Sequence, residues 1–94
     1  MSKNSNNNEA EADYYLGVDV AKSKLDISLL ESRPGRELLH RIVANSTEDI
    51  GLLLEDCLAD YSGSLQCVVE ATSTYHFNLL YAAEAMGIPV RVYN

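Results

Sequence analysis

Tyr14-Tyr15-Leu16-Gly17-Val18-Asp19-Val20 is the stretch on which the fold turns. It is nearly all apolar and rich in β-formers, which predicts a central strand covered on both faces. One residue breaks the pattern. Asp19 is a poor strand former, and an ionised carboxylate buried there without compensation costs several kcal/mol. A cation, a backbone donor or exposure at a cleft has to stabilise it. An edge-exposed Asp or a local turn hydrogen bond is the plain alternative.

Outward from this strand, Ala21-Lys22-Ser23-Lys24 reads as a short turn and Leu25-Asp26-Ile27-Ser28-Leu29-Leu30 alternates as a second strand. Ser32-Arg33-Pro34-Gly35 is a turn signal, and Arg36 to Ala44 reads as a third strand. Turns this short cannot carry a parallel crossover, so the three strands form an antiparallel meander. Ser46-Thr47-Glu48-Asp49 resembles a capping box, with Ser46 as N-cap. Ile50, Leu53, Leu54, Cys57 and Leu58 then share one helical stripe. Glu48, Asp49, Glu55, Asp56 and Asp60 lie mostly off it, as a solvated acidic face. Gly63 ends the segment, and Leu65 to Glu70 forms a fourth strand. Ala71-Thr72-Ser73-Thr74 caps a second helix running to about Met86, with Gly87 as the C′ residue and Pro89 behind it. Val90-Arg91-Val92-Tyr93 opens a fifth strand.

The order βββαβαβ predicts an α/β fold with a mixed sheet and helices on its faces. Right-handed crossovers put the fourth strand parallel beside the first and the fifth beyond it, giving sheet order 3-2-1-4-5. This arrangement resembles the ribonuclease-H-like fold, truncated after strand five.

The 94 residues suit one small domain or a piece of a larger one. Residues 1–13 are polar, Asn-rich and non-periodic, which predicts a disordered tail before an ordered unit over 14–94. No apolar run reaches the roughly 18 residues of a membrane span, and the N-terminus has no apolar signal-peptide core. A cytoplasmic location is therefore expected. Cys57 and Cys67 lack metal-ligand spacing and read as buried free thiols. The net charge is −7, to which the tail contributes −2 through Lys3 against Glu9, Glu11 and Asp13. That is the wrong sign for a self-sufficient nucleic-acid binder.

Glu70 repeats the oddity of Asp19. It closes an apolar strand at the carboxyl end, the usual site position in α/β sheets; a Glu stabilised by the following helix N-terminus is the alternative. If the first and fourth strands are neighbours, the two carboxylates converge. Two adjacent like charges are unfavourable unless a divalent cation binds, and oxygen-only ligands suit Mg²⁺ or Mn²⁺. Lys22 and Lys24 sit in the hairpin after Asp19, with Arg33, Arg36 and Arg41 nearby in sequence; they could contact phosphate, or form a solvated hairpin. His76 shares helical spacing with Leu79, Leu80 and Ala83 and reads as a packing histidine rather than a general base.

Leu16 to Lys22, followed by a hairpin, resembles the first strand of the DEDD transposases, the RuvC-like recombinases of bridge-RNA-guided insertion sequences and their Piv/MooV invertase relatives. Val68 to Tyr75 resembles that family's second acidic motif, and Met86 to Asn94 resembles its next strand. The likeness runs from Leu16 to Asn94. Ser73 stands where the family usually has Gly. The resemblance implies that Asp19 and Glu70 are two of four catalytic, metal-binding carboxylates. It places the other two and a nucleophilic Ser beyond Asn94, so that this fragment alone should be inactive. Asp26, on the second strand, and Asp60, on a helix, are not candidates for those further two carboxylates. Separately, a fifth strand with no following helix leaves an apolar face or edge open, which predicts self-association or a covering partner. It further implies a transposase or site-specific recombinase acting on DNA with Mg²⁺ or Mn²⁺, with a guide RNA as possible partner. Two other readings compete. A sugar-kinase or actin-like ATPase also opens with a Gly-x-Asp strand, but the hairpin here lacks the phosphate-cradling Gly. A non-catalytic interaction module would use both acids structurally.

Overall fold

The computed structural model describes residues 11–70 and 74–93. The elements are β1 (Tyr14–Val20), β2 (Lys24–Glu31), β3 (Glu37–Ala44), α1 (Thr47–Asp60), β4 (Leu65–Glu70), α2 (Phe77–Ala85) and β5 (Val90–Tyr93). The order βββαβαβ is the expected one, and the strands form one sheet ordered β3-β2-β1-β4-β5. β2 pairs antiparallel with β1 and β3, because short turns join them; β4 pairs parallel with β1 and β5, because helices carry the chain back.

Alternation along the strands decides where the core lies. Leu16 and Val18 of β1, Leu25, Ile27 and Leu29 of β2, and Leu65, Cys67 and Val69 of β4 are buried on one face. They pack in a single cluster with Ile50, Leu53, Leu54 and Cys57 of α1 and with Leu79, Ala82 and Ala83 of α2. Both described helices therefore lie on that face. The expected cover of β1 on both faces is not found among the described residues: on the other face Tyr15 and Gly17 are half-buried and Asp19 is exposed. Leu58, assigned to the α1 stripe, is 43% exposed. At 100° per residue it lies about 80° round from Ile50, at the stripe's edge.

The helix ends follow local chemistry. Ser46 caps α1: its Oγ accepts from the Asp49 N–H at 3.1 Å and donates to the Asp49 carboxylate at 2.6 Å. α2 ends as the Gly87 signal predicts, with Gly87 at φ +71°, its N–H donating to Glu84 and the Ile88 N–H to Ala83. Its start differs. α2 begins at Phe77 with His76 as N-cap, which makes no side-chain capping bond. Of the expected cap segment, Ala71, Thr72 and Ser73 lie outside the described residues, and Thr74 sits in the turn before His76.

The N-terminal boundary also shifts. Residues 1–10 lie outside the described residues, but residues 11–13, assigned to the tail, are engaged. Ala12 is buried. The Asp13 N–H donates to Ser64 Oγ, and the Asp13 carboxylate accepts from the Ser64 N–H, both at 2.9 Å. Gly63 accommodates this latch: its φ is +135°, and a Cβ there would lie 2.8 Å from the Asp13 carboxylate. Deleting residues 1–13 is expected to lower the melting temperature by several degrees relative to deleting 1–10, since about 1 kcal/mol corresponds to roughly 4–8 °C in a domain of this size. Equal melting temperatures for the two deletions would show that the latch contributes nothing.

Cys57 and Cys67 are free and buried. Burial pushes the Cys67 thiol up to about 12 and raises that of Cys57, so neither is poised as a thiolate nucleophile. No helix among the described residues is long and apolar enough to cross a membrane.

Candidate active site

β1 and β4 run side by side with Val18 opposite Val69. Both valines face the core, so Asp19 and Glu70, the next residue on each strand, fall on the uncovered face at the strands' carboxyl ends. Both are exposed. They line one open cavity of about 470 Å³ together with Gly17, Val18, Asp26 and Ser28. The sequence argument expected Asp19 to need compensation for burial; its exposure at a cleft removes that cost.

Asp26 is the addition. The β1–β2 register sets it directly opposite Asp19, so this acid, set aside on the sequence argument, shares the cavity. Asp60, the last residue of α1, does not line it. Opposed like charges on neighbouring strands are unfavourable, and His40 of β3 offsets this one. Its Nε2 pairs with the Asp26 carboxylate. That hydrogen bond, then the Asp26 charge, holds the His40 pKa above its usual value. Stability from this pair is fully present below the unfolded-state pKa near 6.5 and is lost as pH rises through the higher folded-state value. An NMR titration should find the His40 midpoint above 6.5, falling back towards it in Asp26→Asn. An unchanged midpoint in that variant would remove Asp26 as the cause.

The donor set at the cavity is oxygen-only. It fits a hard cation such as Mg²⁺, which takes one or two carboxylates and completes its shell with water and phosphate oxygens. Among the described residues, no three His, Cys, Asp or Glu side chains are grouped closely enough to hold a metal ion by themselves.

The other expected contributors separate. Lys22 and Lys24 are exposed at the hairpin just past Asp19. Arg33 and Arg36 pair with Glu11 and Glu31 at 3.1 and 3.2 Å. Glu31 lies opposite Tyr14, at the far end of β1, so these arginines do not join the lysines. Arg41 lies opposite Ile27, whose side chain faces the core, and so belongs to the helix side of the sheet. His76 is half-buried with its ring against Phe77, centroids 5.0 Å apart, in keeping with a packing role.

A DEDD transposase family model of the IS110 type matches residues 16–94. No curated protein matches the chain. Among solved structures, RuvC of Thermus thermophilus in complex with a Holliday junction substrate aligns at TM-score 0.63 with 17% identity, covering 85% of this chain and 63% of that one. A second Thermus thermophilus RuvC structure aligns at TM-score 0.61 with 18% identity and the same coverage. A Ppx/GppA phosphatase of Aquifex aeolicus aligns at TM-score 0.51 with 11% identity, covering 84% of this chain and 35% of that one. At these identities the likeness concerns the fold. The chain spans 63% of the length of the RuvC chains it matches.

Proposed function

The chain belongs to the DEDD, RuvC-like transposase family, and from that premise we propose that it helps to build the site of a metal-dependent DNA strand cleavage and transfer reaction, with Asp19 and Glu70 as two of the metal ligands. The observation that carries the reading is the shared cavity: two carboxylates from the carboxyl ends of neighbouring parallel strands line it on the uncovered face. Bound Mg²⁺ or Mn²⁺ would supply activation of the attacking oxygen and charge stabilisation at the leaving oxygen.

The chain's own residues would do the rest. The Asp19 and Glu70 carboxylates hold their ligand oxygens on a rigid sheet, which keeps orientation loss small. Gly17 lacks a side chain and keeps the cavity floor low beside them. Lys22 and Lys24, exposed at the neighbouring hairpin, are available to phosphates of a strand entering the cleft. The net charge of −7 argues that this surface does not hold DNA unaided, and that the bound cation contributes to phosphate binding. A DNA junction, the ligand of one RuvC neighbour, is the substrate to test first. A guide RNA and a second copy of the chain belong to the same proposal as partners.

The test is Mn²⁺-dependent cleavage of branched and duplex DNA by the protein that contains these residues. Cleavage that requires Mn²⁺ or Mg²⁺ and stops with EDTA is the expected result. Cleavage persisting in EDTA, or DNA left intact by a folded, metal-loaded protein, would overturn the proposal.

A further inference from the structure

The pairing of β1 with β4 stops at Val18 and Val69, one residue short of both carboxylates. β1 stays paired with β2 to Val20 and β4 with β5 to Glu70; beyond Val20 the chain enters the hairpin leading to Lys24, and α2 opens at Phe77 after a turn over Thr74 to His76. Past those ends no strand pair joins the hairpin to the turn that opens α2.

Asn45, between β3 and α1, spans that gap. Its Nδ2 donates to the Ala21 carbonyl at 2.8 Å and to the Tyr75 carbonyl at 2.9 Å, with the Lys22 carbonyl at 3.4 Å. Ala21 lies two residues past Asp19, and Tyr75 five past Glu70. The Asn45 N–H donates to the Ser23 carbonyl at 3.0 Å. Asn78 Nδ2 donates back to the Asn45 carbonyl at 3.0 Å and to its Oδ1 at 3.2 Å. An amide side chain offers two donor protons and one acceptor oxygen; Asn45 uses all three together with both its backbone groups. Such a fully engaged residue ties the β1–β2 hairpin and the opening turn of α2 to one rigid point.

We propose that Asn45 is a positioning residue which holds the hairpin that follows Asp19 against the opening turn of α2, and so steadies the cavity mouth at Asp19 and Glu70, with Asn78 holding its amide in place. The role rests on the reading of those carboxylates as a shared metal site. Mg²⁺ demands near-ideal geometry at about 2.0–2.1 Å. A small drift of one strand end is therefore enough to lose a ligand. Groups that orient metal ligands typically cost about 10–100-fold in metal affinity when removed.

Asn45→Leu keeps the side chain's branching and heavy-atom count and removes all its side-chain hydrogen bonds. In the protein that contains these residues, Mn²⁺ affinity measured by electron paramagnetic resonance is expected to fall about 10–100-fold in this variant. Asn78→Ala should show a smaller loss in the same direction, and it carries the comparison if Asn45→Leu does not fold. Without metal, amide hydrogen exchange should quicken at least tenfold at residues 21–23 and 75–77 and stay unchanged along the β2–β3 pair. Wild-type Mn²⁺ affinity in a folded Asn45→Leu protein, where Asp19→Asn abolishes binding, overturns the positioning role. Mn²⁺ binding that survives both Asp19→Asn and Glu70→Gln overturns the shared site instead. The metal-free exchange then decides for Asn45 alone, and unchanged exchange at both segments rejects it.

Discussion

Asp19→Asn should abolish Mn²⁺ binding and DNA strand cleavage together while leaving the melting temperature unchanged or slightly raised. The substitution removes one of the two carboxylates that close the cavity at the β1 and β4 ends. Metal-borne charge stabilisation is worth several kcal/mol in a transition state, and about 1.4 kcal/mol is a factor of ten in rate, so a loss of about a thousandfold or more is expected. The stability side follows from the register. Asp19 faces Asp26 across the antiparallel pair, an arrangement that costs roughly 0.2–1 kcal/mol when both are charged. Asp19 is exposed, so solvent screens much of that cost, and Asn relieves what remains. Glu70→Gln should behave alike. If either variant melts several degrees lower with metal binding intact, the carboxylate is structural and the interaction-module reading gains.

Leu16→Ala should do the opposite. Leu16 is three residues before Asp19 on the same strand, but it points to the other face and is fully buried among the helix side chains. Truncating a buried Leu to Ala typically costs about 2–5 kcal/mol through lost transfer energy and the cavity left behind. A domain of this size has only roughly 5–15 kcal/mol of stability in total. The urea midpoint should therefore fall sharply, and part of the population should unfold at 37 °C. A midpoint within about 0.5 M of wild type would mean that the helices repack against β1, contrary to the single tight cluster. The two substitutions on one strand separate a residue that holds the fold from one the fold presents.

The sequence is most legible where patterns are local. Period-two alternation, a Pro-Gly turn and the Ser46 and Gly87 caps are enough to order the elements, and short turns against helical crossovers are enough to order the strands. That Asp19 and Glu70 share a face follows from one further fact, the parallel register of β1 on β4. What stays hidden depends on partners far along the chain. Asp26 enters the cavity only because the hairpin aligns Val20 with Leu25; a shift of one residue would turn it to the core. Asn45 reads as an ordinary residue before a helix cap, since its acceptors on Ala21 and Tyr75 are 24 and 30 positions away. The uncovered face of β1 is equally silent, because Tyr15 and Gly17 suit a buried strand as well as a half-buried one.

The latch between Asp13 and Ser64 joins positions 51 apart in the chain. Ordering the long loop between them costs entropy before any contact repays it. The β1–β2–β3 meander, whose partners are near neighbours, has no such delay. The latch adjoins the Tyr14–Leu65 pair of the β1–β4 ladder, equally far apart in the chain, so it closes with that ladder and not with the meander. Interactions formed after the barrier leave the speed of folding alone and act on the speed of escape from the folded state. Asp13 and Ser64 are therefore expected to act on how long a folded molecule survives: stopped-flow unfolding of Asp13→Ala should run faster than wild type along an unchanged refolding limb, and a slowed refolding limb would place the latch before the barrier.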